Sequence, residues 1–105
     1  MYARNVRMKL KANNVPEFTR ILEQDIIPLL RNQKGFQDEI SFVAPERNEV
    51  VAISFWDKQD HAEAYNHTAY LDVLRLLSRV LDGMPVMETF EVSTSTFRRI
   101  TASAG

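Results

Sequence analysis

Seven consecutive residues, Val50-Val51-Ala52-Ile53-Ser54-Phe55-Trp56, place the tightest constraint on what this chain can fold into. Side chains of a β-strand point alternately to opposite faces, so a strand with one wet face alternates between apolar and polar residues. This run is apolar on both parities. It reads as a central strand buried on both sides, and its sheet must therefore be covered twice.

The flanking segments supply one cover. Tyr2, Val6, Met8 and Leu10 share one parity, while Asn5, Arg7, Lys9 and Lys11 share the other, which predicts a first strand with a strongly apolar face. Asn13-Asn14 breaks it, Asn14 is placed to cap a helix, and Pro16 falls near the first helical position, where its missing N–H costs nothing. Phe18, Leu22, Ile26 and Leu29 recur about a turn apart and predict a helix over residues 15–33, its stripe widened by Ile21 and Leu30. Pro28 lies inside it and predicts a kink or break near Asp25, and Gly35 is a terminator.

A second strand carries Phe36, Ile40 and Phe42 on one parity and ends at Pro45; residues 46–49 form a polar hairpin connection. Beyond Trp56, Asp57 is the expected cap of a short helix to residue 67, with Asp60 favouring the positive end of its dipole. Thr68 is the expected cap of a longer helix reaching Leu81, with Tyr70, Leu74, Leu77 and Leu81 on one stripe and Val73, Leu76 and Val80 on a second. Asp82-Gly83 and Pro85 stop it. A last strand over 86–97 places Val86, Phe90 and Val92 on one parity, and residues 101–105 read as a loose tail.

The order is β-α-β-β-α-β, an α+β ferredoxin-like pattern in which two helices cover one face of a four-stranded antiparallel sheet. The single domain spans residues 1–100. Its other sheet face keeps an apolar patch of the size soluble monomers avoid, so a second copy of the chain is the expected cover.

Composition narrows the classes of function. Thirteen basic and fourteen acidic residues leave a net charge of −1, with no basic stripe to meet nucleic acid. The absence of cysteine removes disulfides and thiolate chemistry. His61 and His67, the only histidines, stand six apart and cannot form an i, i+4 metal pair, and three scattered glycines make no phosphate loop. No metal and no tightly held cofactor is expected. The first residues lack the apolar segment of a secretory leader, and no apolar run reaches the roughly 18 residues of a membrane span, so the expected location is cytoplasmic.

Two stretches resemble the antibiotic-biosynthesis-monooxygenase-like family: Ile27-Pro28-Leu29-Leu30 followed by Lys34-Gly35-Phe36, and the strand ending at Trp56 that runs into Ala62, Tyr65, Thr68 and Leu71. The resemblance covers nearly the whole chain. It implies a dimeric α/β barrel, two sheets closing face to face with the helices outside, and activities that include cofactor-free oxygenation of phenolic polyketides, quinol oxidation and haem degradation. The haem-degrading members use an Asn on the first strand, a Trp in the helical segment and a His ligand. Asn5 matches the first, but Tyr65 and Arg75 stand at the other two positions, so that branch is not expected.

The candidate site is the break between the last two helices. His67 is the candidate catalytic base, because an imidazole titrates near neutral pH, against the plain reading of an exposed loop histidine. Trp56 is the candidate stacking wall for a flat substrate, against a core aromatic sealing the sheet. Tyr65 and Tyr70 are the candidate hydrogen-bonding handles, and as amphipathic rings they suit the core equally. Arg75 is a candidate anion stabiliser, although Asp72, Arg75, Arg79 and Asp82 also make a solvated stripe at helical spacing. Two functions remain open: an oxygenase without bound cofactor acting on a small aromatic or quinone-like molecule, or a non-catalytic dimer that binds such a ligand or is structural.

Overall fold

The computed structural model describes residues 1–101, and of the tail expected at 101–105 all but Thr101 lies outside the described residues. Strand β1 (Tyr2–Lys9) alternates as its sequence dictates, with Val6 and Met8 buried and Arg7 and Lys9 exposed. It pairs antiparallel with β3 (Glu49–Trp56) on one side and with β4 (Val86–Glu91) on the other. The sheet is completed by β2 (Phe36–Ala44), which pairs antiparallel with β3, giving the order β2-β3-β1-β4. The doubly apolar run is thus an interior strand. A hairpin joins β2 to β3 through a 3₁₀ turn at Pro45–Arg47, closed by Asn48 at φ 52°, a left-handed conformation that asparagine tolerates.

The predicted first helix is three pieces. α1 (Val15–Ile21) and α2 (Ile27–Arg31) are joined through a π-helical turn, Leu22–Ile26, in which the Ile27 N–H reaches the Leu22 carbonyl. The break expected near Asp25 falls here, because Pro28 brings no N–H to an ordinary helical ladder and the preceding turn widens. Gly35, at φ +85°, turns the chain into β2. α3 (Gln59–His67) and α4 (Ala69–Leu77) follow β3 and share Thr68 at their junction. The helices lie on the sheet face carrying Val6, Met8, Val50 and Trp56, and Phe18, Ile21, Ile26, Leu30, Val73 and Leu77 fill the space between.

Several local expectations are corrected. None of the predicted capping side chains caps: Asn14 donates to the Ala12 carbonyl, Asp57 is hydrogen-bonded to His61 Nδ1 at 2.7 Å, and the Thr68 hydroxyl donates back to Ala64. The long helix stops at Leu77 rather than Leu81, because the chain is drawn onto the end of β1: Lys11 donates to the Val80 carbonyl, Asp82 to that of Lys9, and Leu81 bridges Leu10. The last strand ends at Glu91, opposite Tyr2, with one further bond beyond it from the Val92 N–H to the Met1 carbonyl. Phe36 does not share a face with Ile40 and Phe42. A bulge between Phe36 and Asp38 inserts one residue, so Phe36 packs toward the helices while Ile40 and Phe42 point away.

The face away from the helices carries Ile40, Phe42, Val51, Ile53, Val86 and Phe90, and Phe42 and Phe90 remain 53% and 51% exposed. At one end the chain after β4 returns over it, where Ile100 is buried near Phe55 and Arg99 reaches Asp38 at 3.3 Å and the Gln37 carbonyl at 3.1 Å.

Candidate functional site

The apolar face of β1 has one interruption. Arg4 shares the parity of Tyr2, Val6 and Met8, so its side chain is driven under the helices, where it is 2% exposed. Among the described residues no carboxylate pairs with it. Instead the guanidinium lies over two rings, its central carbon 4.9 Å from the Tyr65 centroid and 4.5 Å from that of Tyr70. Nη2 donates to Asn66 Oδ1 at 2.8 Å, and Nε is buried without a hydrogen-bond partner. An isolated buried cation costs several kcal/mol in lost hydration, and stacking on two aromatic faces returns on the order of 2 kcal/mol each.

The two tyrosines flank the α3–α4 junction. Tyr65 is near the end of α3 and Tyr70 near the start of α4, and the break at Thr68 lets both rings turn inward, 5.9 Å apart. Burial pushes the Tyr65 phenol up to about 12, against the opposing pull of Arg4, and raises Tyr70 in the same way. Both therefore stay protonated at neutral pH and can donate a hydrogen bond. Burial also pulls the Arg4 guanidinium below its ordinary value, offset in part by the two phenols; an arginine nevertheless remains charged in a protein.

Beside these groups a cavity separates the helices from the sheet. Arg4, Ser54 and Glu39 stand on its floor, Leu22 and Ile26 of the π-helical turn form one wall, and Tyr65 and Tyr70 help form the other. The centre of a water molecule can reach about 50 Å³ of it. At rest it accommodates water; an aromatic ring enters only as the lining side chains shift. One wall contains the π-helical turn, whose hydrogen-bond ladder is irregular.

The sequence-predicted residues divide. Tyr65 and Tyr70 come together on the cavity. Trp56 is wholly buried, stacked on Tyr65 at 4.9 Å and edge-on to Phe36 at 5.6 Å, with Nε1 donating to Ser54 Oγ at 2.9 Å. It backs the Tyr65 ring and does not line the cavity. His67 is exposed and opens on a separate shallow cleft with Asn66, Met87 and Thr89, which reaches Arg4 from behind. Arg75 is exposed and pairs with Asp72 at 3.1 Å, on the solvated stripe of α4. No group of three or more His, Cys, Asp or Glu side chains among the described residues is placed to hold a metal ion. Sequence reasoning passed over Arg4, Asn66 and Glu39. The signal for Arg4 was its parity, a charge in the middle of an apolar row.

This architecture recurs in known proteins. The family model described as antibiotic biosynthesis monooxygenase matches residues 1–75. The chain belongs to that family. Solved structures with the same fold include a protein of unknown function from Nitrosomonas europaea, 16% identical with TM-score 0.76, covering 99% of this chain and 95% of that one. A cofactor-independent oxygenase from Streptomyces nogalater, SnoaB, is 14% identical with TM-score 0.74 over 90% of this chain and 95% of its own. The ActVA-Orf6 monooxygenase of Streptomyces coelicolor, solved with nanaomycin D, is 16% identical with TM-score 0.68 over 85% and 84%. No curated protein matches the sequence. The ferredoxin-like sheet read from the sequence is thus the family's fold, and monooxygenase chemistry occurs among its structural neighbours.

Proposed function

We propose that this protein is a cofactor-independent oxygenase of its family, acting on a small hydroxylated aromatic or quinone-like molecule held in the cavity beside Arg4, and that it works as a homodimer. The observation that carries the reading is a buried guanidinium, without a carboxylate partner among the described residues, at the edge of a cavity lined mostly by apolar side chains. Such a group stabilises an anion that forms inside the site far better than a solvated one would. Tyr65 and Tyr70 are the proposed ligand contacts, donating to ring oxygens, and Trp56 acts by backing Tyr65. His67 enters only from the solvent side, across the cleft behind Arg4.

In this chemistry the protein supplies binding, desolvation and charge. A ring methylene conjugated through the arene to a carbonyl loses a proton, the carbanion reduces oxygen, and the net change is R₂CH₂ + O₂ → R₂C=O + H₂O. Family membership and the oxygenases among the neighbours support the assignment. The homodimer rests on the uncovered apolar face of the sheet.

An oxygen electrode tests the activity directly, with a hydroxylated anthrone as substrate. The expected result is protein-dependent oxygen uptake with one O₂ consumed for each quinone formed. No uptake above the spontaneous rate, with the substrate analogue still bound, would leave a ligand-binding dimer in place of an enzyme.

A further inference from the structure

Strand register places Arg4 in a larger arrangement. Arg4 of β1 pairs with Ser54 of β3, and Ser54 pairs with Glu39 of β2. The three form a polar row across the sheet, under the helices and on the floor of one cavity. Two strand spacings, about 10 Å, separate the backbone at its ends, with Ser54 between. Among the described residues the guanidinium and the carboxyl form no ion pair. A cation and a carboxyl held apart in one cavity leave a gap that a ligand with polar atoms at both ends can bridge.

Glu39 has a second side. It also borders an outer cleft with Arg31 of α2, Asp38 and Arg99. Its carboxyl accepts from the Ser41 hydroxyl, and burial raises its proton affinity above the ordinary glutamate value against that bond. On the cavity side it shares the floor with Ser54 and Arg4, while Tyr65 and Tyr70 lie by the guanidinium. The carboxyl is therefore positioned to take a proton inside and return it to water outside.

We propose that Glu39 is the proton acceptor of the cavity and Arg4 the counter-ion for the anion it creates, the two acting at opposite ends of one bound hydroxyaryl ligand. This rests on the same site as the proposed function. The Glu39 carboxylate takes the ligand's hydroxyl proton: the ligand O–H bond breaks, a carboxyl O–H forms, and the electron pair stays on the ligand. Conjugation across the ring carries the charge to an oxygen facing Arg4. The substrate class is then a phenol conjugated to a carbonyl-like acceptor at the far end. No oxidant takes part in this step.

The test uses para-nitrophenol, a phenol conjugated to a nitro group, whose phenolate is yellow, titrated with the full-length protein below the probe's own pKa. The wild-type protein turns the bound probe yellow. Because the proton passes to Glu39, binding releases none to the buffer, and Kd changes less than about twofold per pH unit. In Glu39→Gln the phenolate can bind only by giving its proton to solvent, so Kd tightens about tenfold per pH unit and calorimetry in different buffers finds one proton released. Arg4→Met loses the yellow band and Arg4→Lys keeps it, with near-ultraviolet circular dichroism confirming that each variant is folded. A Glu39→Gln variant with the wild-type pH dependence, a yellow Arg4→Met complex, or no binding by the wild type overturns the proposal. Oxygen uptake is read separately, so loss of the oxygenase assignment and loss of this one are distinguishable.

Discussion

Arg4 is retained at a position where an apolar side chain would satisfy the fold. Its desolvation costs several kcal/mol, while the two ring faces and the charged hydrogen bond to Asn66 return a similar amount. Replacing it with methionine, of similar length, is therefore expected to change the free energy of unfolding by less than about 1 kcal/mol while removing ligand binding. Urea denaturation measures this, and a loss above about 3 kcal/mol would make Arg4 a structural residue. Glu39 carries a signed prediction. Burial raises its folded pKa, so the stability of the protonated form is present below the unfolded value of about 4.3 and lost as pH rises through the folded one. Glu39→Gln should melt higher than wild type at neutral pH, and the gap should close as the pH falls toward about 4; a constant gap would contradict the burial account. The tyrosine pair was legible from its flanking of the helix break. Arg4 was legible in principle, since Tyr2, Arg4, Val6 and Met8 share one parity, but an apolar tally skips the residue that interrupts it. Glu39 was hidden, because nothing local in residues 36–42 announces the bulge that sets which side of β2 meets the helices.

The elements followed their periodicity and departed from it where neighbouring elements intervened. The kink at Pro28 could be read from the missing N–H, whereas its resolution into a π-helical turn lining a cavity depends on what packs against it. The end of α4 at Leu77 was set by bonding of residues 80–82 to the end of β1, a tertiary effect that helix patterns do not contain. Gly35 is different, since its role was readable and its reason can be measured. At φ +85° it lies under Asp57 and His61, and a Cβ there would stand 2.4 Å from atoms of both. Gly35→Ala should cost at least about 1–2 kcal/mol from the backbone alone, and more once the Asp57–His61 contact is displaced. A thermal melt unchanged from wild type would show that this junction tolerates rearrangement.

At the scale of the whole molecule, both faces of the sheet have a purpose in the account. The helix side holds the proposed site, and the other side, with Ile40, Phe42, Val51, Ile53, Val86 and Phe90, is the proposed dimer surface. The doubly apolar run Val50–Trp56 predicted this division before any element was placed. Light scattering at micromolar concentration should give twice the chain mass of 12.1 kDa, and Phe42→Glu, a charge on the exposed patch, should give the single mass with an intact circular dichroism spectrum. Retention of the double mass by that variant would move the interface elsewhere. The proposed ligand position is between helices and sheet beside Arg4, and not between the sheets of two copies. Nuclear magnetic resonance with a stable hydroxynaphthoquinone as titrant tests it most directly. Saturable shifts are expected on Ala52, Tyr65, Tyr70 and Val73 in the cavity, abolished by Arg4→Met. Shifts concentrated on Phe42, Ile53 and Phe90 would contradict it.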